Sequence, residues 1–382
     1  MVELGNPTYK YKRCFGAALT VLRPPPYHSS QRFIERTVTT MTTNGKRPRL
    51  SPRARFLAGL TGGRKGDRIS VGNPTSVVCV ELMEQAGVSF PDAHLDPHRM
   101  AELAAAGHEI AGFDTIMPEF SVVQESAALG CNIDWGHNLK MPVATNHPVQ
   151  EVDQIKIPEN ILEKPSLRVV LDAISLLRRE YGDRVSIVGK VMGPWTISYH
   201  LASTEEFLVW TITDPDKVRG YLDRLKEVSI AFARAQLQAG ADTVVLADHA
   251  TGDLVSPKTY RDFLLPVHQE MVARIGGPVI LHICGNCADR LRLFVEAGFH
   301  AYHFEWQVDS KFAVETVNHE MSLVGNIANL SALLNGTPED VYKQVRYAIE
   351  AGVDIIAPEC AIPLSTPLRN LKAIAEAAKE GW

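Results

Sequence analysis

The 382-residue sequence predicts a single (β/α)8 barrel, the TIM-barrel class of α/β folds. Eight short apolar runs alternate with helical patterns, and polar side chains follow most of the runs. A repeated Ala-Gly pair also precedes three of them, where a glycine ends a helix and turns the chain into the next strand. Strands that alternate with helices in this way form a parallel sheet, and eight such units close into a barrel. The runs lie at residues 69–72, 114–117, 186–192, 243–247, 279–282, 301–304, 322–325 and 354–357.

The helical patterns carry their own start signals. Ser51 precedes Pro52 and Asp214 precedes Pro215, so each pair supplies a capping side chain and a proline suited to a first helical turn. The second of these helices is predicted to run to Ala239. Further helices are predicted over residues 256–275 and 367–379.

Two stretches depart from the strand and helix pattern. Residues 1–48 contain a proline run and many threonines without any period, which predicts a disordered extension ahead of a barrel at residues 49–382. A targeting leader is the alternative, although Glu3 and Glu35 interrupt the acid-poor composition of such leaders, and Met41 could be the true start. Residues 130–165 predict a long excursion over the barrel mouth, as a lid or a partner surface.

Composition narrows the function. The chain is 45% apolar and 22% charged, as soluble globular proteins are, and no apolar run is long enough to cross a bilayer. The net charge of −5 gives no case for nucleic-acid or membrane binding. Six cysteines in a chain of this length are not a disulfide framework. A cytoplasmic protein with reduced thiols is therefore expected, some of them available to a metal.

The strongest chemical signal follows the fifth predicted strand, which ends at His282 and is followed by Cys284. Strand alternation places residues i and i+2 on one face, and imidazole and thiolate are ligands that zinc prefers. Glu305 follows the sixth strand and Cys360 the eighth, and strand ends of a barrel face one mouth. These four side chains predict a tetrahedral zinc site. A buried packing pair is the alternative for His282 and Cys284 alone.

Cys287 is a rival for the second sulfur ligand. Its spacing from Cys284 is a known metal-ligand and redox spacing. It falls, however, where the next helix should begin, and so should point away from the mouth. His303 is expected inside the barrel or behind a ligand.

The residues around these candidates resemble the zinc-dependent corrinoid:thiol methyltransferases of the coenzyme M type, within the uroporphyrinogen decarboxylase superfamily. The resemblance rests on His282-x-Cys284, on Cys360 within the stretch Ala-Pro-Glu-Cys-Ala-Ile-Pro-Leu-Ser-Thr-Pro-Leu-Arg-Asn, and on Gly72-Asn73-Pro74-Thr75, Phe120-Ser121-Val122-Val123-Gln124-Glu125 and Ile133-Asp134-Trp135-Gly136. It covers the chain from about residue 51 onward. It implies that His282, Cys284 and Cys360 bind zinc, with Glu305 as the fourth ligand when substrate is absent.

The resemblance also implies an activity. A methyl group would move between a methylated corrinoid and a small thiol or pterin acceptor. The sequence contains no Asp-x-His-x-x-Gly corrinoid signature, so the corrinoid is expected on a separate partner protein. Positioning and activation of the sulfur would be the main tasks of the barrel.

Other strand-end residues receive roles within this scheme. Glu305 and Asp248 are assigned as catalytic residues, and Asn73, Trp195 and Asn326 as cofactor-binding residues. Asp248 could orient the substrate or a ligand histidine, while a helix-capping carboxylate is an equal alternative. The same choice between a functional and a structural role applies to Asn326. The alternative for Trp195 is a core tryptophan.

Three other functions remain open at this point. The first is a metal-free tetrapyrrole decarboxylase, although residues 72–76 lack the arginines that family members carry near the first strand to meet substrate carboxylates. The second is methyl transfer in the opposite direction, onto the corrinoid. The third is a closed structural zinc site without catalysis.

Overall fold

The computed structural model describes residues 49–62 and 66–380, so the predicted extension at residues 1–48 lies outside the described residues. Eight parallel strands follow one another in the order β1-β10-β9-β8-β7-β6-β5-β2, and β3 pairs with β4 in a separate antiparallel hairpin. The strands are β1 (Ser70–Val71), β2 (Thr115–Ile116), β3 (Ile133–Asp134), β4 (Val143–Ala144), β5 (Ser186–Met192), β6 (Thr243–Ala247), β7 (Val279–His282), β8 (Ala301–Phe304), β9 (Ser322–Ile327) and β10 (Ile355–Pro358).

The gap between β1 and β2 is closed by a mixture of backbone and side-chain hydrogen bonds. The Asp114 N–H donates to the Val71 carbonyl at 2.8 Å, and the Val71 N–H donates to the Asp114 carboxylate at 3.0 Å. One step further, the Asn73 N–H donates to the Thr115 hydroxyl at 2.8 Å. The predicted (β/α)8 barrel is therefore confirmed, with all eight strands at the predicted places.

Helices surround the barrel. They are α1 (Pro52–Leu60), α2 (Val80–Ala86), α3 (Asp92–Leu95), α4 (Pro97–Glu109), α5 (Gln124–Ala128), α6 (Pro165–Tyr181), α7 (Pro194–Ala202), α8 (Thr204–Thr213), α9 (Pro215–Ala239), α10 (Pro257–Thr259), α11 (Leu265–Ile275), α12 (Leu291–Glu296), α13 (Ser310–Val317), α14 (Pro338–Ala351) and α15 (Leu368–Glu380). None of these described helices has the length and apolarity needed to cross a membrane.

The predicted helix caps are present. The Ser51 hydroxyl accepts from the Ala54 N–H at the start of α1, and the Asp214 carboxylate accepts from the Lys217 N–H at the start of α9. The helix predicted over residues 256–275 is instead interrupted by a π-turn at Tyr260–Leu264. Pro266 lies just beyond this turn and has no N–H to donate, which disturbs the regular i to i−4 pattern.

An apolar layer fills the lower part of the barrel. Phe56 and Leu60 of α1 pack against it, and Arg53 at the start of α1 donates its N–H to the Arg184 carbonyl just ahead of β5. Helix α1 therefore closes the N-terminal end of the barrel and leaves the opposite end for a site. The layer contains Met117, Val188, Val245, Ile280, Ala301, Val324 and Ile355.

The segment of residues 130–165 adds no strand to the barrel. After the β3–β4 hairpin it runs along the outer helices, where the Val149 N–H donates to the Leu201 carbonyl of α7 and the Tyr221 hydroxyl of α9 donates to the Val149 carbonyl. Its role as a lid or partner surface stays a prediction.

Asp114 is the centre of the buried ion network at the β1–β2 junction. Its carboxylate is 1% exposed and accepts from Arg55 at 2.8 Å, from Arg68 at 2.7 Å and from the Ser70 hydroxyl at 3.2 Å. Arg55 also pairs with Asp67, which is partly exposed. The junction thus depends on one carboxylate that serves two guanidinium groups and a backbone N–H.

Replacing Asp114 by alanine should lower the free energy of unfolding by about 3–5 kcal/mol, because the change removes the buried carboxylate that Arg55 and Arg68 share. Urea denaturation measures the loss. The matched control is Asp216→Ala, since Asp216 pairs with Arg219 at the exposed surface, where such pairs contribute little. Equal losses in the two variants would contradict the role given to Asp114.

Candidate metal centre

Three ligand-bearing side chains meet at the barrel mouth. His282 is the last residue of β7, Cys284 lies two residues beyond it, and Cys360 lies two residues beyond β10. The His282 Nε2 atom is 3.2 Å from the Cys284 Sγ and 3.3 Å from the Cys360 Sγ, and the two sulfurs are 3.6 Å apart. The sequence-predicted histidine and two cysteines therefore form one compact cluster.

The spacing of these atoms fits a tetrahedral zinc ion. Zinc–sulfur bonds of about 2.3 Å and zinc–nitrogen bonds of about 2.0 Å place ligand sulfurs about 3.8 Å apart and a nitrogen about 3.5 Å from each sulfur. The observed distances lie within a few tenths of an ångström of those values. Two sulfurs and one imidazole nitrogen form an open, three-ligand set, which leaves the fourth position to another group.

A hydrogen bond on the side of the ring away from the sulfurs fixes the orientation of His282. Its Nδ1–H donates to the His303 carbonyl at 3.2 Å, so the Nε2 lone pair faces the two sulfurs. The His303 ring lies against the His282 ring with centroids 4.6 Å apart, and its Nε2–H donates to the Pro358 carbonyl at 2.7 Å. His303 is thus a supporting residue inside the barrel, as the sequence predicted.

The electrostatics of the cluster favour a thiolate at Cys360. The hydrogen bond with Cys284 lowers the pKa of the Cys360 thiol well below its usual value, against the opposing effect of burial, and the neighbouring His282 adds to the lowering. The same hydrogen bond, together with burial, raises the pKa of Cys284. Burial would lower the pKa of His282, but the charge on Cys360 outweighs it and the net shift is upward. A cation would relieve this crowding of negative charge.

Glu305 lies beside the cluster rather than within its closest set of atoms, which consists of His282, Cys284 and Cys360. Its half-buried carboxylate hydrogen-bonds the Cys284 thiol and the Gly285 N–H, and burial raises its pKa. Gly285 has φ of +82°, a conformation that glycine adopts without strain. The turn therefore holds the Glu305 carboxylate beside the Cys284 thiol.

Glu359 lies next to the cluster and was not singled out by the sequence interpretation. One carboxylate oxygen accepts from the Trp306 N–H at 3.0 Å and the other accepts from the Asn329 N–H at 2.7 Å. Burial raises the pKa of Glu359 to about 7. Glu359 is the residue before Cys360 and binds the loops after both β8 and β9. It therefore fixes the loop that carries Glu305 relative to the cluster. Its position at a strand end was the available signal.

Asp248 lies in the interior, not in the cluster. Its carboxylate accepts from the N–H and the hydroxyl of Thr196, at 2.7 and 3.0 Å, in the first turn of α7. The His268 Nε2–H also donates to it at 3.1 Å, while the Tyr260 hydroxyl lies 2.9 Å from the His268 Nδ1. These contacts support the helix-capping alternative over a catalytic role.

The three residues assigned to cofactor binding lie in different surroundings. Trp195 is fully buried, donates its indole N–H to the Tyr199 hydroxyl and packs against Phe207, which supports the core alternative. The Asn326 amide donates to the Val308 carbonyl at 3.0 Å and holds the loop after β8. Asn73 is buried at the end of β1, and its Oδ1 atom finds no partner among the described residues.

Cys287 is separate from the cluster. Its buried thiol donates to the Cys284 carbonyl at 3.6 Å, so it supports the turn that carries Cys284. The structure thus places Cys287 outside the set of mutually close ligand atoms, in line with its expected direction away from the mouth.

Sequence reasoning also missed Lys190 and His249. Lys190 is a buried lysine within the otherwise apolar strand β5, and that charge in a buried strand was the signal. His249 follows β6. Burial is the main cause of the lowered pKa of His249, and the charges of His282 and Lys190 shift this pKa in the same direction.

Comparisons with known proteins identify the family. A family model described as uroporphyrinogen decarboxylase (URO-D) matches residues 51–381. A methylated-thiol–coenzyme M methyltransferase of Methanosarcina mazei is 34% identical over 332 residues, which are 87% of this chain and 90% of the relative. The methylcobamide:CoM methyltransferase MtaA of Methanosarcina barkeri is 34% identical, over 86% of this chain and 97% of the relative.

The solved structures agree. A methyltransferase from Methanosarcina mazei superimposes with a TM-score of 0.84 at 34% identity and covers 87% of this chain and 99% of its own. A B12-independent methionine synthase from Shewanella shares the fold, with a TM-score of 0.56 at 12% identity. The chain therefore belongs to the uroporphyrinogen decarboxylase family and groups within it with the corrinoid-dependent methyltransferases, as the sequence motifs predicted.

Proposed function

We propose that this enzyme transfers a methyl group from a methylated corrinoid, carried by a separate protein, to a small thiol activated by zinc. The observation that carries the proposal is the cluster of His282, Cys284 and Cys360 at the barrel mouth, which offers three ligand atoms, one fewer than tetrahedral zinc takes. The relatives named as methylcobamide:CoM methyltransferases support both the donor and the thiol class of acceptor.

Zinc bound by these three residues would lower the pKa of an incoming thiol and keep its sulfur nucleophilic. The residues of the chain do the rest. His282, held by the His303 carbonyl, would keep its Nε2 atom directed at the ion, and the two cysteines would supply negative charge that preserves electron density on the incoming sulfur. Glu305, whose pKa is raised by burial, lies beside Cys284 and would accept the thiol proton.

The overall reaction conserves atoms and charge. The thiol replaces its proton with a methyl group, while the electron pair of the broken carbon–metal bond stays with the corrinoid. Because the mouth already presents both the cluster and Glu305, the chain needs only to orient the two reactants and exclude water. This direction of transfer follows the names of the relatives, and the reverse direction uses the same contacts.

Methyl transfer from methylcobalamin to 2-mercaptoethanesulfonate tests the proposal directly, and the change in corrinoid absorbance measures it. Zinc-loaded protein should catalyse the reaction, removal of the metal with a chelator should abolish it, and Zn²⁺ should restore it. Activity that survives complete metal removal would contradict the proposal. Tetrahydrofolate in place of the thiol tests a pterin acceptor in the same assay.

Zinc content tests the ligand set. Wild-type protein should hold about one zinc ion per chain, and Cys360→Ala should lose most of it because only two strong ligands remain. Cys287→Ala is the matched control, since Cys287 is a neighbouring buried thiol outside the cluster. Elemental analysis after dialysis measures both. If the control lost zinc and Cys360→Ala kept it, the ligand assignment would be wrong.

Glu305→Gln separates proton transfer from metal binding. The variant should keep its zinc, because the three cluster residues are intact, but methyl transfer should slow by about 100-fold through loss of the proton acceptor. Glu315→Gln on α13 is the control, since Glu315 is exposed and follows the same strand. Rapid-mixing kinetics at saturating thiol give the rate. An unchanged rate in Glu305→Gln would remove Glu305 from the mechanism.

A further inference from the structure

Two of the cysteines in the described part of the chain differ from the others in solvent exposure. Cys284 and Cys360 are half-buried, while Cys79, Cys131 and Cys287 are buried. Thiols that solvent reaches are the ones that oxidants in solution modify. The two partly exposed thiols are also the two sulfur ligands of the candidate metal centre.

The sulfurs of Cys284 and Cys360 need only a small movement to form a bond with each other. They are 3.6 Å apart, and a disulfide holds its sulfurs about 2.05 Å apart. Cys284 lies in the loop after β7, whose pairing ends at His282, and Cys360 lies in the loop after β10, whose pairing ends at Pro358. The two sulfurs can therefore approach each other without breaking a strand pairing.

Cys287 is the competing partner, because Cys284 and Cys287 have the Cys-x-x-Cys spacing of redox motifs. The buried thiol of Cys287 donates to the backbone, however, at 3.6 Å from the Cys284 carbonyl oxygen. The Cys284 Sγ atom contacts the His282 Nε2 and the Cys360 Sγ instead. The contacts therefore favour the pair that is distant in sequence over the pair that the motif predicts.

We propose that Cys284 and Cys360 form an oxidation site, at which a hydroperoxide converts the two thiols of the metal centre into a disulfide. One thiol takes an oxygen atom from the peroxide and becomes a sulfenic acid, while the rest of the peroxide leaves as water or an alcohol. The second sulfur then attacks the sulfenic sulfur, and the hydroxyl group leaves with the thiol proton as water. The two sulfurs lose two electrons, and the O–O bond of the peroxide gains them.

The disulfide would remove two metal ligands at once. Zinc binds thiolates, and a disulfide sulfur carries no charge, so only His282 would remain of the three close ligands. The ion should then leave, and methyl transfer should stop until the disulfide is reduced and zinc returns. This consequence rests on the proposed function, because it takes the ion to be zinc and the reaction to need it. The disulfide itself needs only the two sulfurs.

Peptide mapping of the full-length, zinc-loaded protein tests the site. The protein is treated with hydrogen peroxide, the remaining thiols are alkylated with iodoacetamide, and the unreduced digest is analysed by mass spectrometry. The peptides that contain Cys284 and Cys360 should be joined, and about two thiols per chain should escape alkylation. A coloured zinc chelator in the same solution should record about one zinc ion released per disulfide formed.

A variant and a reduction step complete the test. Cys287→Ala is the matched control, because it removes the motif cysteine that lies outside the cluster, and it should form the same disulfide and release zinc as the wild type does. A phosphine reductant has no thiol of its own, so it does not compete for the ion. This reductant followed by Zn²⁺ should return the alkylated thiols, the zinc content and the methyl-transfer rate to their starting values. If Cys287→Ala does not fold, the peptide map of the wild type still decides between the two pairs.

A link between Cys284 and Cys287, oxidation of either sulfur without a link, or loss of the disulfide in Cys287→Ala would each overturn the assignment. Zinc that stays bound after the disulfide has formed would overturn its effect on the metal centre. Failure of the proposed function gives a different result: the reduced, zinc-loaded protein transfers no methyl group, while the disulfide still forms. The two conclusions therefore fail separately.

Discussion

Two sulfur atoms that are 76 positions apart in the sequence lie 3.6 Å apart in the fold. This approach of Cys284 to Cys360 depends on a closed parallel barrel, in which all strand ends share one mouth. Closure is weakest between β1 and β2, where side chains replace part of the strand ladder, and there the Asp114 carboxylate holds the junction together. The buried ion network at this junction thus supports the candidate metal centre, because β1 pairs with β10, the strand that precedes Cys360.

Several polar residues around the candidate site form hydrogen bonds with the backbone. Asp248 caps α7, Asn326 holds the loop after β8, and Glu359 joins two loops next to Cys360. The side chain of each residue forms a hydrogen bond with a backbone group that would otherwise be buried without a partner. These contacts hold the backbone around the candidate site, while the ligand atoms of His282 and the two cysteines face one another.

The sequence predicted the eight strands, the caps at Ser51 and Asp214, and the meeting of His282, Cys284 and Cys360 at one mouth, because strand period and strand ends are local patterns. That these three residues and Glu305 bind zinc stays a prediction. It did not predict the π-turn at residues 260–264, which depends on competition between backbone donors. It also did not separate a core tryptophan from a binding one at Trp195, since the same residue type serves both. Lys190 was overlooked because only the structure shows that its buried side chain forms no ion pair among the described residues.

The ligands of the cluster come from β7 and β10, and two further strands, β8 and β9, lie between them. An ion held by all three side chains would therefore link β7 and β10, two strands that have no hydrogen bonds to each other. Binding that requires the folded barrel stabilises it by mass action. Occupancy of the site and resistance to unfolding would then rise and fall together, so that metal supply sets the lifetime of the protein as well as its chemistry.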